Sequence, residues 1–220
     1  MNKDQIQSLK HELSTPKKIV IVPHKNPDGD AVGSVIALYG YLLELGHHVQ
    51  MISPNDFPAF LKWMENSDLF LNYEKEKEQS DALIREADMI FNLDHNAFHR
   101  AGTMEFILKE VDATFVMIDH HQQPDDFATY IYSDTSMSST CEMIYHFLEM
   151  MNDTDKINPA MAAAMYTGIL TDTGSFKYSS TTSTTLRVAA NLVDKGANSE
   201  AINRKIYDVN TPSRMKLLGV

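Results

Sequence analysis

Along this chain, short unbroken apolar runs alternate with longer stretches in which apolar residues recur every three or four positions. Ile19-Val20-Ile21-Val22 is β-branched throughout and predicts a buried strand. Ala31, Val35, Leu38, Leu42 and Leu45 follow at helical spacing, with Gly46 where a C-terminal cap belongs. Val49 to Ile52, Met89 to Leu93 and Thr114 to Ile118 predict further strands, and Tyr130-Ile131-Tyr132 a short fifth. Residues 4–14 predict a short amphipathic helix. Later helices are expected over about 140–150, from Asn158-Pro159 onward, over 183–195 up to Gly196, and near 199–207. Residues 71–81 are charged and read as solvated, and 212–220 as the start of another helix. Strands separated by helices define the fold class: α/β, a doubly wound, mostly parallel sheet flanked by helices.

Composition narrows the partners. A net charge of −11, with no basic cluster beyond Lys17-Lys18, argues against binding long duplex nucleic acid through its phosphates. A small anionic substrate stays compatible, because bound cations would reverse the sign of an acidic site. The longest apolar stretch, 160–170, has the length of a core helix, so no membrane partner is expected. The N-terminus has no apolar run of the secretory kind. Cys141 is the single cysteine, which excludes an intramolecular disulfide and fits a reducing, cytoplasmic location. A homodimer is left open.

Candidate chemistry collects where strands end. His24, Asp28 and Asp30 lie directly after the first strand, in a loop that Pro27 and Gly29 would turn tightly. One imidazole and two carboxylates so close suit a hard-to-borderline divalent metal, although a polar loop with Asp30 capping the next helix would look the same. Asp94 follows the strand 89–93, and Asp119-His120-His121 follows the strand 114–118. Alone, Asp94 reads more readily as a cap or turn, and Asp119-His120-His121 also reads as a surface loop. Asp172 closes a helix rich in small residues, Ala162-Ala163-Ala164, that is expected to lie on the sheet. Ligands of parallel sheets bind outside the carboxyl ends of the strands. Together these residues could span two cations about 3.5–4 Å apart, as in phosphoryl-transfer sites. His47-His48 precedes a strand, so it falls at the opposite edge.

At these residues the chain resembles the DHH phosphoesterase family. The motifs His24-x-x-x-Asp28-x-Asp30, Asp94, Asp119-His120-His121 and Asp172-Thr173-Gly174 occur in the family's order. The run Asn26-Pro27-Asp28-Gly29-Asp30-Ala31 is similar to the nanoRNase and pAp-phosphatase subgroup. The resemblance implies one cation held by His24, Asp28 and Asp94, and a second by Asp30, Asp94, His120 and Asp172, with Asp94 bridging. It implies His121 at the scissile phosphate or leaving group, Asp119 orienting it, and substrate contacts from Arg100, Ser138 and Ser139, the two serines being equally suited to cap a helix. The implied reaction is in-line attack by a hydroxide shared between two divalent cations. Mn²⁺ is favoured by the ligand types, with Mg²⁺ or Co²⁺ also compatible. The substrate would be a short oligonucleotide, pAp or a small dinucleotide. Alternatives are a cyclic-dinucleotide or inorganic pyrophosphate hydrolase, or a non-enzymatic nucleotide or metal sensor. Residues 1–205 are expected to form the catalytic domain, and 206–220 to begin a linker helix toward a C-terminal substrate-binding domain. That domain's Gly-Gly-Gly-His segment is not in these 220 residues.

Overall fold

The computed structural model describes residues 1–208. Its centre is a parallel sheet of β1 (Lys18–Pro23), β2 (His48–Ser53), β3 (Leu71–Asn72), β4 (Met89–Leu93), β5 (Thr114–Asp119) and β6 (Tyr130–Ser133). The strand order is β3-β2-β1-β4-β5-β6. The chain builds outward from β1 to one side, then returns to lay β4 on the other side. This reversal leaves a crevice at the carboxyl ends of β1 and β4, the place where doubly wound sheets bind ligands.

Helices cover both faces because alternate strand residues are apolar on both sides. Ile19 and Ile21 of β1 and Phe91 of β4 join one core with α1 (Lys3–Glu12), α2 (Gly29–Glu44), α5 (Thr140–Met151) and α6 (Pro159–Asp172). Val20, Val22 and Ile90 point the other way, toward Ile84 of α3 (Lys77–Arg85) and Ile107 and Leu108 of α4 (Glu105–Glu110). The chain then runs through α7 (Ser183–Asp194) and α8 (Ser199–Tyr207). Among the described residues, no helix is long and apolar enough to cross a membrane.

Several expectations need correction. Residues 71–81 are not simply solvated: they hold β3 and the first part of α3, with Tyr73 buried between them. The charges of α3 sit on its outer face and hide its apolar stripe. Helix α6 packs on α2 and α5 rather than on the sheet. Gly33 of α2 allows this, since a Cβ there would strike the Ala164 carbonyl and the Cys141 sulfur. Of the segment expected to begin a linker, Ile206 and Tyr207 finish α8. The helix expected over 212–220 lies outside the described residues.

Candidate metal centre

Three loops and one helix end converge at the crevice. The loop after β1 carries His24 and Asp28, and Asp30 follows in the first turn of α2. Asp28, not Asp30, caps that helix: its Oδ1 accepts the amides of Asp30 and Ala31 at 3.0 and 3.1 Å. Asp30 is thereby carried to the inner side of the helix start, fully buried. Asp94 follows β4 in a left-handed conformation (φ 60°), which turns the chain sharply while its amide still bonds the Ile118 carbonyl. Asp119 ends β5, with His120 and His121 beyond it. Asp172 arrives at the last turn of α6.

The side chains form three overlapping groups, with Asp94 shared by two of them. His24, Asp28 and Asp94 can each direct a ligand atom to a common point, and so can Asp30, His120 and Asp172. The two oxygens of Asp94 divide between them. Oδ2 lies 3.4 Å from His24 Nε2, and Oδ1 lies 3.6 Å from His120 Nε2. His120 Nε2 is also 3.5 Å from Asp172 Oδ2 and 3.9 Å from Asp30 Oδ2. Both imidazoles are oriented by their other nitrogen: Nδ1 of His24 donates to the Lys25 carbonyl, and Nδ1 of His120 to that of Met137. Such a bond fixes the tautomer and leaves the Nε2 lone pair for a metal. The donor set of carboxylates and imidazoles therefore fits a divalent cation.

Without a cation the charges are in tension. Burial, then the nearby Asp94 and Asp172, push the Asp30 carboxyl well above the usual range. Burial likewise raises Asp172, to about 6. Burial opposes the charge on Asp94 too, but the imidazoles of His24, His120 and His121 outweigh it and hold the carboxyl low. His24 is subject to the same burial, yet its bond to Asp94 carries it up to about 9.

His121 belongs to a third group, with Asp94 and His120, and its Nδ1 lies 3.8 Å from Asp94 Oδ1. Its Nδ1 meets Asp119 Oδ1 at 2.7 Å, and its amide donates to Asp119 Oδ2. That pair raises the His121 pKa. His121, Lys25 and Arg100 line one cavity together with His24 and Asp28, which sets Arg100 beside the centre. Ser138 and Ser139 are not presented to it. Ser139 caps α5 by accepting the Glu142 amide, and the Ser138 hydroxyl donates to the buried Glu142 carboxylate.

What the sequence reading missed is the role of the residues just after them. The Thr140 and Cys141 amides donate to the two oxygens of Asp30 at 2.6 and 2.8 Å, and the Thr140 hydroxyl donates to Asp94 Oδ1 at 2.8 Å. The start of α5 thus holds one ligand and the shared carboxylate, a use of helix N-terminal amides that favours anions. Asn96 was missed as well: its amide bonds the carbonyls of His121 and Gln122 and ties the β4 and β5 loops together. His47 lies at the other end of the sheet, where its ring accepts the Lys17 amide.

A parallel α/β domain with a carboxylate–imidazole centre at its switch point is one whose donors could hold a divalent metal. The chain belongs to the DHH family: residues 18–169 match the DHH family, N-terminal domain. It is similar to the bifunctional oligoribonuclease and PAP phosphatase NrnA of Thermus thermophilus, 29% identical over 204 residues that take in 91% of this chain and 57% of that protein. The protein of the same description from Bacillus subtilis is 27% identical over 197 residues, 89% of this chain and 59% of that one. The crystal structure of an exopolyphosphatase-related protein from Bacteroides fragilis superposes with a TM-score of 0.96 at 38% identity, covering 99% of this chain and 64% of that one. The chain thus spans less than two thirds of each of these relatives.

Proposed function

We propose that this domain hydrolyses phosphoesters of short oligonucleotides, of adenosine 3′,5′-bisphosphate (pAp) or of small dinucleotides, with two divalent cations in its centre. The observation that carries this reading is the division of Asp94, one oxygen toward His24 and the other toward His120. His24, Asp28 and Asp94 would hold one cation, and Asp30, Asp94, His120 and Asp172 the other. When bound, such a pair supplies Lewis acidity at the phosphoryl oxygens and a water acidic enough to ionise near neutral pH. Carboxylates and imidazoles without a thiolate favour Mn²⁺. Cys141 is buried and its thiol pKa is pushed up, so it stays neutral behind Asp30.

The remaining work falls to the chain. His121, whose pKa is raised by its bond to Asp119, would hand a proton to the departing oxygen, and Asp119 would fix which nitrogen is free to do so. The amides of Thr140 and Cys141 keep Asp30 from shifting as charge redistributes during the reaction. The names of the NrnA relatives support the substrate class. The test is product release from pAp and from a short RNA, with Mn²⁺ and with chelator. Mn²⁺-dependent release of phosphate or mononucleotide is expected. Metal binding with no release from either substrate would overturn the reading, and release from pyrophosphate alone would redirect it.

A further inference from the structure

One short segment, residues 137–141, bonds three of the candidate ligands. The Met137 carbonyl accepts His120 Nδ1 at 3.4 Å. The Thr140 and Cys141 amides donate to the two oxygens of Asp30, and the Thr140 hydroxyl to Asp94 Oδ1. His24 and Asp28 receive none of these bonds. Theirs stay within the loop after β1 and the first turn of α2. The segment therefore serves the Asp30–His120 end of the centre and not the His24 end.

Glu142 holds that segment in place. Its carboxylate is 1% exposed. Oε2 accepts the Ser138 amide at 3.0 Å, the Ser138 hydroxyl, and the Thr185 hydroxyl at 3.0 Å. Oε1 lies 3.8 Å from His146 Nε2. Burial opposes the charge, but the His146 imidazole and the donors of Ser138 and Thr185 outweigh it and hold the carboxyl below its usual range. A glutamate in the first turn of a helix commonly reaches back to the amide of the capping residue. Here the cap is Ser139, and Glu142 passes it to take the amide before it. It also bonds outside its own helix, since Thr185 stands in the first turn of α7. A carboxylate is costly to bury unless donors meet it. With three donors on one oxygen, Glu142 fixes residue 138 against the starts of both α5 and α7.

We propose that Glu142 is a positioning residue for one cation alone: by pinning residues 137–141 it sets Asp30, His120 and Asp94 Oδ1 for the second cation, and it leaves the cation at His24 and Asp28 to other supports. The inference rests on the two-cation reading above. Mn²⁺ affinity, measured by titration calorimetry on the 220-residue chain, tests it without turnover. Removing one ligand isolates each end: His24→Ala leaves the Asp30–His120 end, and Asp172→Ala leaves the His24 end. Glu142→Gln keeps the size of the side chain and removes its charge. It should weaken Mn²⁺ binding about tenfold in the His24→Ala chain and leave it unchanged in the Asp172→Ala chain. A general loosening of the fold would instead lower both. Thr185→Val removes only the donor from α7, and should show the same selectivity with a smaller loss. Equal losses at both ends, no loss at either, or no loss with Thr185→Val would overturn the role of Glu142. The unaltered chain and its Glu142→Gln variant separate this role from the two-cation reading. Two Mn²⁺ per chain with equal losses keeps the paired centre and removes the role of Glu142. One Mn²⁺ per chain, weakened by Glu142→Gln and retained in His24→Ala, keeps the role and removes the pair. One Mn²⁺ held at the His24 end alone would overturn both.

Discussion

His24 shows how one residue couples metal, proton and fold. In the metal-free chain its pKa of about 9 means that it carries a proton at pH 7. A metal ligand must be neutral, so a cation entering beside Asp94 has to expel that proton. Metal affinity should therefore rise with pH by about tenfold per unit through pH 7–8 and level off above about 9. Titration calorimetry in two buffers of different ionisation enthalpy should count at least one proton released per chain at pH 7. No release at pH 7 would mean that His24 is not a ligand. The stability of the metal-free form runs the other way. A histidine whose folded pKa lies above its ordinary 6.5 contributes fully below that value and ceases to contribute as pH rises through about 9. Thermal melts in chelator should show this contribution falling across that window, and saturating metal should reverse the trend.

Helix α5 illustrates what an element does that its sequence does not announce. Its serines read equally as substrate donors or as caps, because Ser-Ser-Thr at a helix start serves both. The structure uses Ser139 as the cap, and this settles the first turn whose amides hold Asp30. Ser139→Ala should cost about 1 kcal/mol in a urea melt and weaken metal binding. A variant of unchanged stability with only a raised KM would restore the substrate role. Gly168 on α6 makes a second case, since a Cβ there would meet the Cys141 sulfur and come within 2.7 Å of Asp30 Oδ1. Gly168→Ala should cost about 1–3 kcal/mol by overpacking and should lower metal affinity together with stability, checked by the same melt and a Mn²⁺ titration.

The sequence made the strands β1, β4 and β5 legible because they are buried on both faces and so are mostly apolar, and their terminal Asp and His residues could be placed at once. It hid β3, which is two residues long, and α3 and α4, whose apolar stripes are short and interrupted by charge. It also hid the holders of the ligands, because a backbone amide leaves no mark in a sequence. Thr140 and Cys141 act through such groups, and only the packing of α5 against the start of α2 reveals them.

At the scale of the whole molecule, the reversal of strand order between β1 and β4 brings the two ligand groups together. Loops from both sides of the sheet reach the crevice, and Asp94 at the end of β4 is shared between them. A net charge of −11 becomes workable for an anionic substrate only when cations fill the centre. On the proposed reading, the domain's chemistry would depend on a paired site rather than on two independent ones. The most direct test is electron paramagnetic resonance of the chain titrated with Mn²⁺. Two ions per chain with an exchange-coupled signal are expected, and Asp94→Ala should abolish the coupling. A single ion, or two ions that remain magnetically independent in the unaltered chain, would contradict the shared-carboxylate centre.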